Sequence, residues 1–364
     1  MNTTSISTHA RFMARAIRLA EQGLFTTDPN PRVGCVIVQN GAIVGEGWHK
    51  VAGCGHAEVN ALNAASESVQ GADVYVTLEP CSHFGRTPPC AKALIDAGVG
   101  RVFVAMQDPN PLVSGRGITM LREAGIAVEV GLLEAEAGNL NPGFIKRMQT
   151  GRPLVRLKVA VSVDGRTAMA SGESQWITGS DARADVQRLR ARSSAIVTGS
   201  GTVKTDNPAL TVRFGGSPED FRQPIRVILS SRLDLSSDAA IFQQPGRTVV
   251  ATSKLSEQFA SALPDGSELA LLPNLEPDTV IQWLAGQQCN EVLVESGPLV
   301  AGSFIKAGCV DEYWLYMAPK LLGSDARPMH VMGLQTMAEA IPLKLQDVRA
   351  IGDDIRLIYR PEGA

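Results

Sequence analysis

Three groups of residues in this chain have types and spacing suited to chemistry. They are His56-Ala57-Glu58, then Glu79-Pro80-Cys81, then Pro88-Pro89-Cys90. One imidazole and two thiols are three soft ligands. A tetrahedral zinc held by three protein groups keeps its fourth position open for water. Zinc brings the pKa of such a water down towards ~7, and a carboxylate two residues after the histidine can shuttle its proton without binding the metal. His56, Cys81 and Cys90 are therefore the candidate metal ligands, and Glu58 the candidate catalytic base.

The order His-x-Glu, Pro-Cys, Cys is the signature of zinc-dependent nucleobase deaminases. Two other readings compete with it. One is a core histidine beside two unrelated buried thiols. The other is a closed structural zinc with Cys54 as fourth ligand, although residues as close as Cys54 and His56 seldom wrap one tetrahedral ion. The generic signature has two residues between its cysteines, whereas here eight intervene, Ser82 to Pro89. That loop carries His83 and Arg86 and could reach an anionic substrate. Pro88 and Pro89 suit the first turn of a helix, which would bring the Cys90 thiolate to the positive end of its dipole.

These groups need elements to hold them. Phe12, Ala16, Leu19 and Ala20 recur at helical spacing within 8–23. Val33 to Val38 and Ala42 to Trp48 flank Asn40-Gly41, a strong hairpin signal. A helix is expected from near His56, and a buried strand over Val74 to Leu78. A second helix should run from Ala91 to Ala97, with a strand over Val102 to Ala105. A third helix over Ile118 to Glu123 and a strand over Ala127 to Val130 complete an α/β layered domain. The metal ligands then sit at helix starts beside strand ends, the usual place for sites in such sheets.

Residues 132–152 are polar with turn residues at both ends, and the domain boundary is placed there, giving domains 1–150 and 151–364. A second pattern follows. Strands are expected over Leu154 to Val161, Ala195 to Val197, Ile225 to Leu229, around Val249, over Glu291 to Val294, Tyr313 to Met317 and Ile355 to Tyr359. With a helix over Asp181 to Arg192, this reads as a second α/β domain with a mostly parallel sheet. Gly199-x-Gly201 follows a strand, but Lys204 breaks the dinucleotide fingerprint. Gly297 to Ser303 opens a small-residue helix whose N–H groups can approach phosphate. Ser230-Ser231-Arg232 offers hydroxyls and a guanidinium to a further phosphate. Together these suggest a non-Rossmann site for a phosphorylated nucleotide cofactor, though each is also an ordinary turn.

The chain has 364 residues, a net charge of -3 and six cysteines. No global basic field argues for nucleic acid, and no run of ~18 apolar residues argues for a membrane span. Arg11, Arg15 and Arg18 interrupt any secretory h-region, and the uneven cysteines suit a reducing compartment. The expectation is a cytoplasmic enzyme with no nucleic-acid or membrane partner.

Several longer motifs are shared with one family. They include Asn30-Pro31-x-Val33-Gly34, His56-Ala57-Glu58-Val59, Pro80-Cys81-Ser82-His83-x-Gly85-Arg86-Thr87-Pro88-Pro89-Cys90 and Asp108-Pro109-Asn110-Pro111. Further along are Leu157-Lys158-x-Ala160, Ser174 to Gly179, Asp206-x-Pro208-x-Leu210-Thr211-x-Arg213 and Ala318 to Gly323. Over nearly its whole length the chain resembles the bifunctional riboflavin-biosynthesis deaminase/reductase family, in which the long cysteine spacing is normal. The resemblance implies a cytidine-deaminase-like three-layer α/β domain followed by a dihydrofolate-reductase-like α/β domain. It implies zinc and NADPH, a phosphoribosyl pyrimidine substrate, and a homo-oligomer, dimer or tetramer. The first domain would remove the 2-amino group of 2,5-diamino-6-(5-phosphoribosylamino)pyrimidin-4(3H)-one. The second would reduce the ribose, giving 5-amino-6-(5-phosphoribitylamino)uracil. By motif, NADP falls near Ala160, Trp176, Thr202, Asp206, Ser231 and the stretch Gly297, Pro298, Leu299, Val300, Ala301, Gly302 and Ser303. Substrate falls near Ser174, Arg190, Leu210, Arg213 and Glu295, with Arg190 and Arg213 as phosphate ligands. A tRNA or nucleoside deaminase with an appended domain, and a zinc-stabilised binding module, are the rival readings. The first leaves the cofactor motifs unexplained, and the second has no use for Glu58.

Overall fold

The computed structural model describes residues 3–82, 88–111, 113–261 and 263–362. The chain forms two compact units, Met1–Gly151 and Arg152–Ala364.

The first unit is built on a five-stranded sheet. Its strands are β1 (Gly34–Gln39), β2 (Ala42–Trp48), β3 (Asp73–Val76), β4 (Arg101–Val104) and β5 (Ala127–Val130), in the order β2-β1-β3-β4-β5. β1 pairs antiparallel with β2 and β3, and β3, β4 and β5 run parallel. Asn40 and Gly41 both take positive φ, 51° and 80°, as the expected tight hairpin turn requires. The apolar runs bury both faces of the sheet, because successive side chains point to opposite sides. Cys35, Ile37, Val74, Val76, Val102 and Val104 face helices α2 (Ala57–Asn63), α3 (Cys90–Asp96) and α4 (Arg116–Glu123). Val36, Val38, Tyr75 and Phe103 face α1 (Thr3–Glu21) and Phe144. The result is the three-layer arrangement expected.

The stretch 132–152, expected to be an irregular boundary, is instead two helices, α5 (Glu134–Gly138) and α6 (Pro142–Thr150). Pro142 sits in the first turn of α6 and Gly151, at φ 70°, ends it. Asn-Pro reads as a turn in sequence, but a proline is equally suited to a first helical turn. Asn141 also exchanges hydrogen bonds of 2.8 Å with the backbone N–H and C=O of Arg32. That tie fixes the segment against the first sheet's loops.

The second unit has a nine-stranded sheet. Its elements are β6 (Leu154–Ser162), β7 (Arg166–Ala168), α7 (Ser180–Arg192), β8 (Ala195–Gly199), α8 (Ser200–Asp206), β9 (Ile225–Leu229), β10 (Thr248–Thr252), α9 (Glu257–Ser261), β11 (Ser267–Leu271), α10 (Pro277–Gly286), β12 (Glu291–Val294), α11 (Pro298–Lys306), β13 (Glu312–Ala318), β14 (Arg327–Pro328), β15 (Leu343–Ile351) and β16 (Asp354–Pro361). The order is β11-β10-β9-β8-β12-β6-β13-β16-β15. The seven strands from β11 to β13 are parallel, and β16 and β15 add antiparallel. Val155, Leu157, Val159 and Val161 put one face of β6 against the side of α10 and α11. Arg156, Lys158 and Ala160 alternate onto the other face. Arg156, only 2% exposed, pairs there with Glu291 and, at 2.7 Å, with Glu312.

β15 was not anticipated from the sequence. Its apolar residues Leu343, Leu345 and Val348 are all exposed, and a register shift between Leu345 and Asp347 breaks the alternation that marks a half-buried strand.

Candidate active sites

In the first unit α2 carries two of the four residues. His56 is its N-cap and Glu58 lies in its first turn. Gly47 lets the helix lie flush on β2, since a Cβ there would come 2.3 Å from the Ala61 nitrogen. Cys81 follows the end of β3. Cys90 is the first residue of α3, with Pro89 as its N-cap. Pro88 and Pro89 therefore precede the helix rather than form its first turn, because the chain at Pro89 is still extended, at ψ 142°.

The His56 ring nitrogen and the two cysteine sulfurs lie within 4.8 Å of one another. His56 Nδ1 is 3.6 Å from Cys81 Sγ and 3.3 Å from Cys90 Sγ. The Cys90 backbone N–H donates to Cys81 Sγ at 3.3 Å, so the start of α3 favours a thiolate there. Hydrogen bonding from Cys90 and His56 outweighs burial and holds Cys81 down at about 4, while the same contact and burial push Cys90 up. Glu58 is 3% exposed and touches the Cys90 thiol. Burial, then the Cys81 thiolate, raise its carboxyl to about 7. One imidazole, two sulfurs and no fourth protein ligand among the described residues fit a tetrahedral zinc with an open position. Cys54 is exposed and outside this group. His83 and Arg86, expected to face an anionic substrate, lie outside the described residues.

Two further residues shape this site. The buried His49 ring stands edge-on to His56 with centroids 5.3 Å apart. Asn30 Nδ2 is 3.1 Å from His49 Nε2, so the proton sits on Nδ1, 3.2 Å from the Gly55 carbonyl. Burial lowers the His49 pKa and keeps the ring neutral. The buried Glu79 carboxylate accepts backbone N–H bonds from Asp108, Gly115, Gly117 and Ile118 at 2.9–3.2 Å. No sequence signal pointed to His49. Glu79 stands beside Pro80-Cys81, but its partners are backbone groups.

In the second unit the parallel strands β6, β12, β8 and β9 end in one row, where ligands bind in such sheets. Gly297 is the N-cap of α11, and its N–H donates to Thr202 Oγ1 at 2.9 Å. Ser296 Oγ is buried there without a partner. A bare helix start, glycine and an unpartnered hydroxyl fit a cofactor phosphate. Pro298, Leu299 and Val300 form the first turn of α11. Ala301 and Gly302 are buried on the inner side of α11, and Ser303 Oγ donates to the Val300 carbonyl at 2.8 Å. Ala160 is half-buried on β6. Trp176 is 61% exposed with the Arg183 guanidinium 4.6 Å from its ring centre. Ser174 Oγ donates to Asp206 Oδ1 at 2.9 Å.

Glu295 lies at the end of β12. Arg190, on α7, grips it with Nε at 2.7 Å and Nη2 at 3.0 Å, and sends Nη1 to the Thr211 carbonyl at 3.2 Å. Lys158 Nζ adds a contact at 3.7 Å. Burial alone would raise Glu295, but Arg190 and then Lys158 hold it at about 2. Burial lowers Lys158. The guanidinium of Arg190, expected as a phosphate ligand, is engaged here by the Glu295 carboxylate and the Thr211 carbonyl. Arg213 is exposed and Leu210 is buried at φ 48°. Ser230 Oγ accepts the Leu233 N–H at 3.1 Å, while Ser231 is exposed and Arg232 points to solvent, 3.9 Å from Asp234.

No described helix is long and apolar enough to cross a membrane. Residues 6–106 match the family model of the cytidine and deoxycytidylate deaminase zinc-binding region, and residues 153–357 match that of the RibD C-terminal domain. The chain is 51% identical over 360 residues to the riboflavin biosynthesis protein RibD of Escherichia coli K12, covering 95% of this chain and 97% of that protein. It is 48% identical to the Haemophilus influenzae protein of the same name, with 97% of each covered. The solved structure of Acinetobacter baumannii RibD superposes with a TM-score of 0.92 at 48% identity, covering 98% of this chain and 99% of that one. A Thermotoga maritima structure, described as a diaminohydroxyphosphoribosylaminopyrimidine deaminase/5-amino-6-(5-phosphoribosylamino)uracil reductase, has a TM-score of 0.88 at 35% identity over the same shares. With a His/Cys/Cys cluster in the first unit and these matches over both units, the chain belongs to the family of the riboflavin biosynthesis protein RibD, in which a zinc deaminase is joined to an NADPH-dependent reductase.

Proposed function

We propose that this chain deaminates 2,5-diamino-6-(5-phosphoribosylamino)pyrimidin-4(3H)-one and then reduces the ribose of the product, giving 5-amino-6-(5-phosphoribitylamino)uracil. The observation that carries the first step is the convergence of His56, Cys81 and Cys90 within 4.8 Å beside a buried Glu58. His56 Nδ1 and the two sulfurs would hold the zinc. Bound there, zinc supplies Lewis acidity and a water of lowered pKa. Glu58 would hold and move the proton there, taking one from water and giving one to the leaving amine nitrogen. Its buried carboxyl, beside the Cys90 thiol, is placed to make both transfers.

For the second step we assign the cofactor to Ala160, Trp176, Thr202, Asp206, Ser231 and the start of α11. NADPH supplies the hydride. The substrate falls to Ser174, Leu210, Arg213 and the Arg190–Glu295 pair. Arg213, exposed, is the phosphate ligand, and Arg190 orients Glu295. Of the cations at Glu295 only Lys158 can release a proton, since arginine stays charged. The deaminase is taken as residues 1–150 and the reductase as 151–364.

The enzyme is assigned to the cytoplasm, in keeping with six free thiols. A second copy is placed on the face formed by Leu343, Leu345, Val348 and Ile355, all exposed on β15 and β16. An apolar edge strand is a template for pairing unless it is covered. Leu345→Lys with Val348→Lys should convert the oligomer to monomer by light scattering, and an unchanged mass would move the contact elsewhere.

The test of the whole reading supplies the diaminopyrimidine and follows ammonia, NADPH oxidation and product mass in one reaction. Ammonia release without NADPH, followed by reduction on its addition, is expected. NADPH oxidation with no ammonia released would overturn the first assignment.

A further inference from the structure

We infer that Glu79 is a positioning residue of the metal centre, fixing where Cys81 presents its sulfur. This deepens the zinc reading above and rests on it. α4 has no cap from its own sequence. Its N-cap is Gly115, at φ 78°, with no side chain to offer. Helix starts leave their first N–H groups without intrahelical partners. Here a carboxylate from another part of the chain takes them. Glu79 Oε1 accepts Gly117 and Ile118 at 2.9 and 3.2 Å, and Oε2 accepts Gly115 and Asp108 at 2.9 and 3.2 Å. All four donors are main-chain groups, so the carboxylate is located on both oxygens.

The next residue is clamped to the same helix. A Cβ on Gly117 would come 1.9 Å from the Pro80 carbonyl oxygen. Only glycine allows the first turn of α4 to lie against Pro80 this closely. The Glu79 N–H is held as well, donating to the Met106 carbonyl at 3.0 Å. Cys81 then follows directly. On its far side its carbonyl accepts the Ala91 N–H at 3.2 Å and its sulfur accepts the Cys90 N–H at 3.3 Å. Cys81 is thus strung between two helix starts. α3 holds it through its own atoms, and α4 holds it through Glu79 and Pro80. The stretch Asp108-Pro109-Asn110-Pro111 gains a purpose in this arrangement. Asp108 Oδ1 accepts the Asn110 N–H at 2.8 Å, closing the turn that aims the Asp108 N–H at Glu79.

A ligand held this way loses less freedom when metal binds. Groups that support a metal's ligands from behind typically carry 10–100-fold in metal affinity. Glu79→Gln keeps the shape but replaces one oxygen by an NH₂ that faces two N–H donors, so the clamp should open.

The experiment measures zinc dissociation constants of the full chain by competition with a chromophoric chelator. The cobalt-substituted protein gives the sulfur-to-metal charge-transfer band, and circular dichroism checks the apo fold. Glu79→Gln should bind zinc about 10–100-fold more weakly and shift the cobalt band, with apo secondary structure retained. Leu121→Ala, on the core side of α4 and with no part in the carboxylate's hydrogen bonds, is the control for loss of stability alone. It should leave zinc affinity within a few-fold of wild type. Equal weakening in both variants, or none in Glu79→Gln, overturns the inference. Should Glu79→Gln not fold, Gly117→Ala pushes Pro80 off α4 with the carboxylate intact, and must weaken zinc likewise. An unchanged constant there would also overturn it. A wild-type chain that binds no zinc would instead reject the metal reading itself.

Discussion

Arg190 binds both oxygens of Glu295, at 2.7 and 3.0 Å, across 105 residues of sequence. Such bidentate pairs fix geometry as well as charge. The pair ties α7 to the end of β12, and Lys158 completes it from β6.

Glu295 is held at about 2, well below the ordinary carboxylate value of 4.5. Its folded form binds the proton more weakly than its unfolded form. The stability it contributes is therefore fully present above about pH 4.5 and is lost as pH falls towards about 2. Glu295→Gln should lower the melting temperature of the second unit near neutrality, since it leaves Arg190 and Lys158 buried without a counter-charge. The variant should also lose less further stability on acidification than wild type. Equal acid sensitivity in urea titrations at pH 7 and pH 3 would show that the pair carries no such linkage.

Cys81→Ser should lose zinc and deamination together, because a hydroxyl is a poor substitute for a thiolate ligand. Reduction of an already deaminated substrate should persist, since every residue assigned to the reductase site belongs to the second unit. Metal analysis and the two separate assays check this. Full zinc content with full deamination would remove Cys81 from the ligand set.

Glu58→Gln keeps the size of the side chain but cannot carry a proton. Zinc should stay bound and deamination should fall by ~10²–10⁴-fold. Wild-type ammonia release from this variant would remove Glu58 from the mechanism.

Ser231→Ala and Arg232→Ala test cofactor choice. A 2′-phosphate needs donors past the end of β9, where Ser231 and Arg232 are exposed. Hydrogen bonds to charged groups are worth ~1.5–3 kcal/mol, so NADPH should weaken roughly 10–100-fold with NADH nearly unchanged. The ratio of the two affinities is the measurement. An unaltered ratio in both single variants and the double would place the phosphate elsewhere.

Much of this was legible in the sequence. Continuous short apolar runs located β1, β3, β4, β9 and β12, because a strand buried on both faces imposes them directly. The His56, Cys81 and Cys90 cluster was legible because these residue types have few other uses at that spacing. The role of Glu79 was not, since its partners are N–H groups 29 to 39 residues further on and any residue provides those. Nor was the Arg190–Glu295 pair, which depends on where α7 crosses the sheet. α6 was missed because only Phe144, Ile145 and Met148 mark its apolar side. β15 was missed because neither of its faces is buried within one chain.

The two units are each made from one uninterrupted length of chain, divided at Gly151 and Arg152. This has a consequence for the order of events during synthesis. Every strand of the first sheet and all three residues of the His56, Cys81 and Cys90 cluster leave the ribosome before β6 does. At about 5–20 residues per second, the first unit has on the order of ten seconds or more to close before the last strands of the second are made. β6, by contrast, emerges early and must wait for β12 and β13, its neighbours in the sheet, which are made more than a hundred residues later. The deaminase is therefore expected to mature on the nascent chain and the reductase only after release. Stalled chains ending near residue 200 should already retain zinc while binding no NADPH.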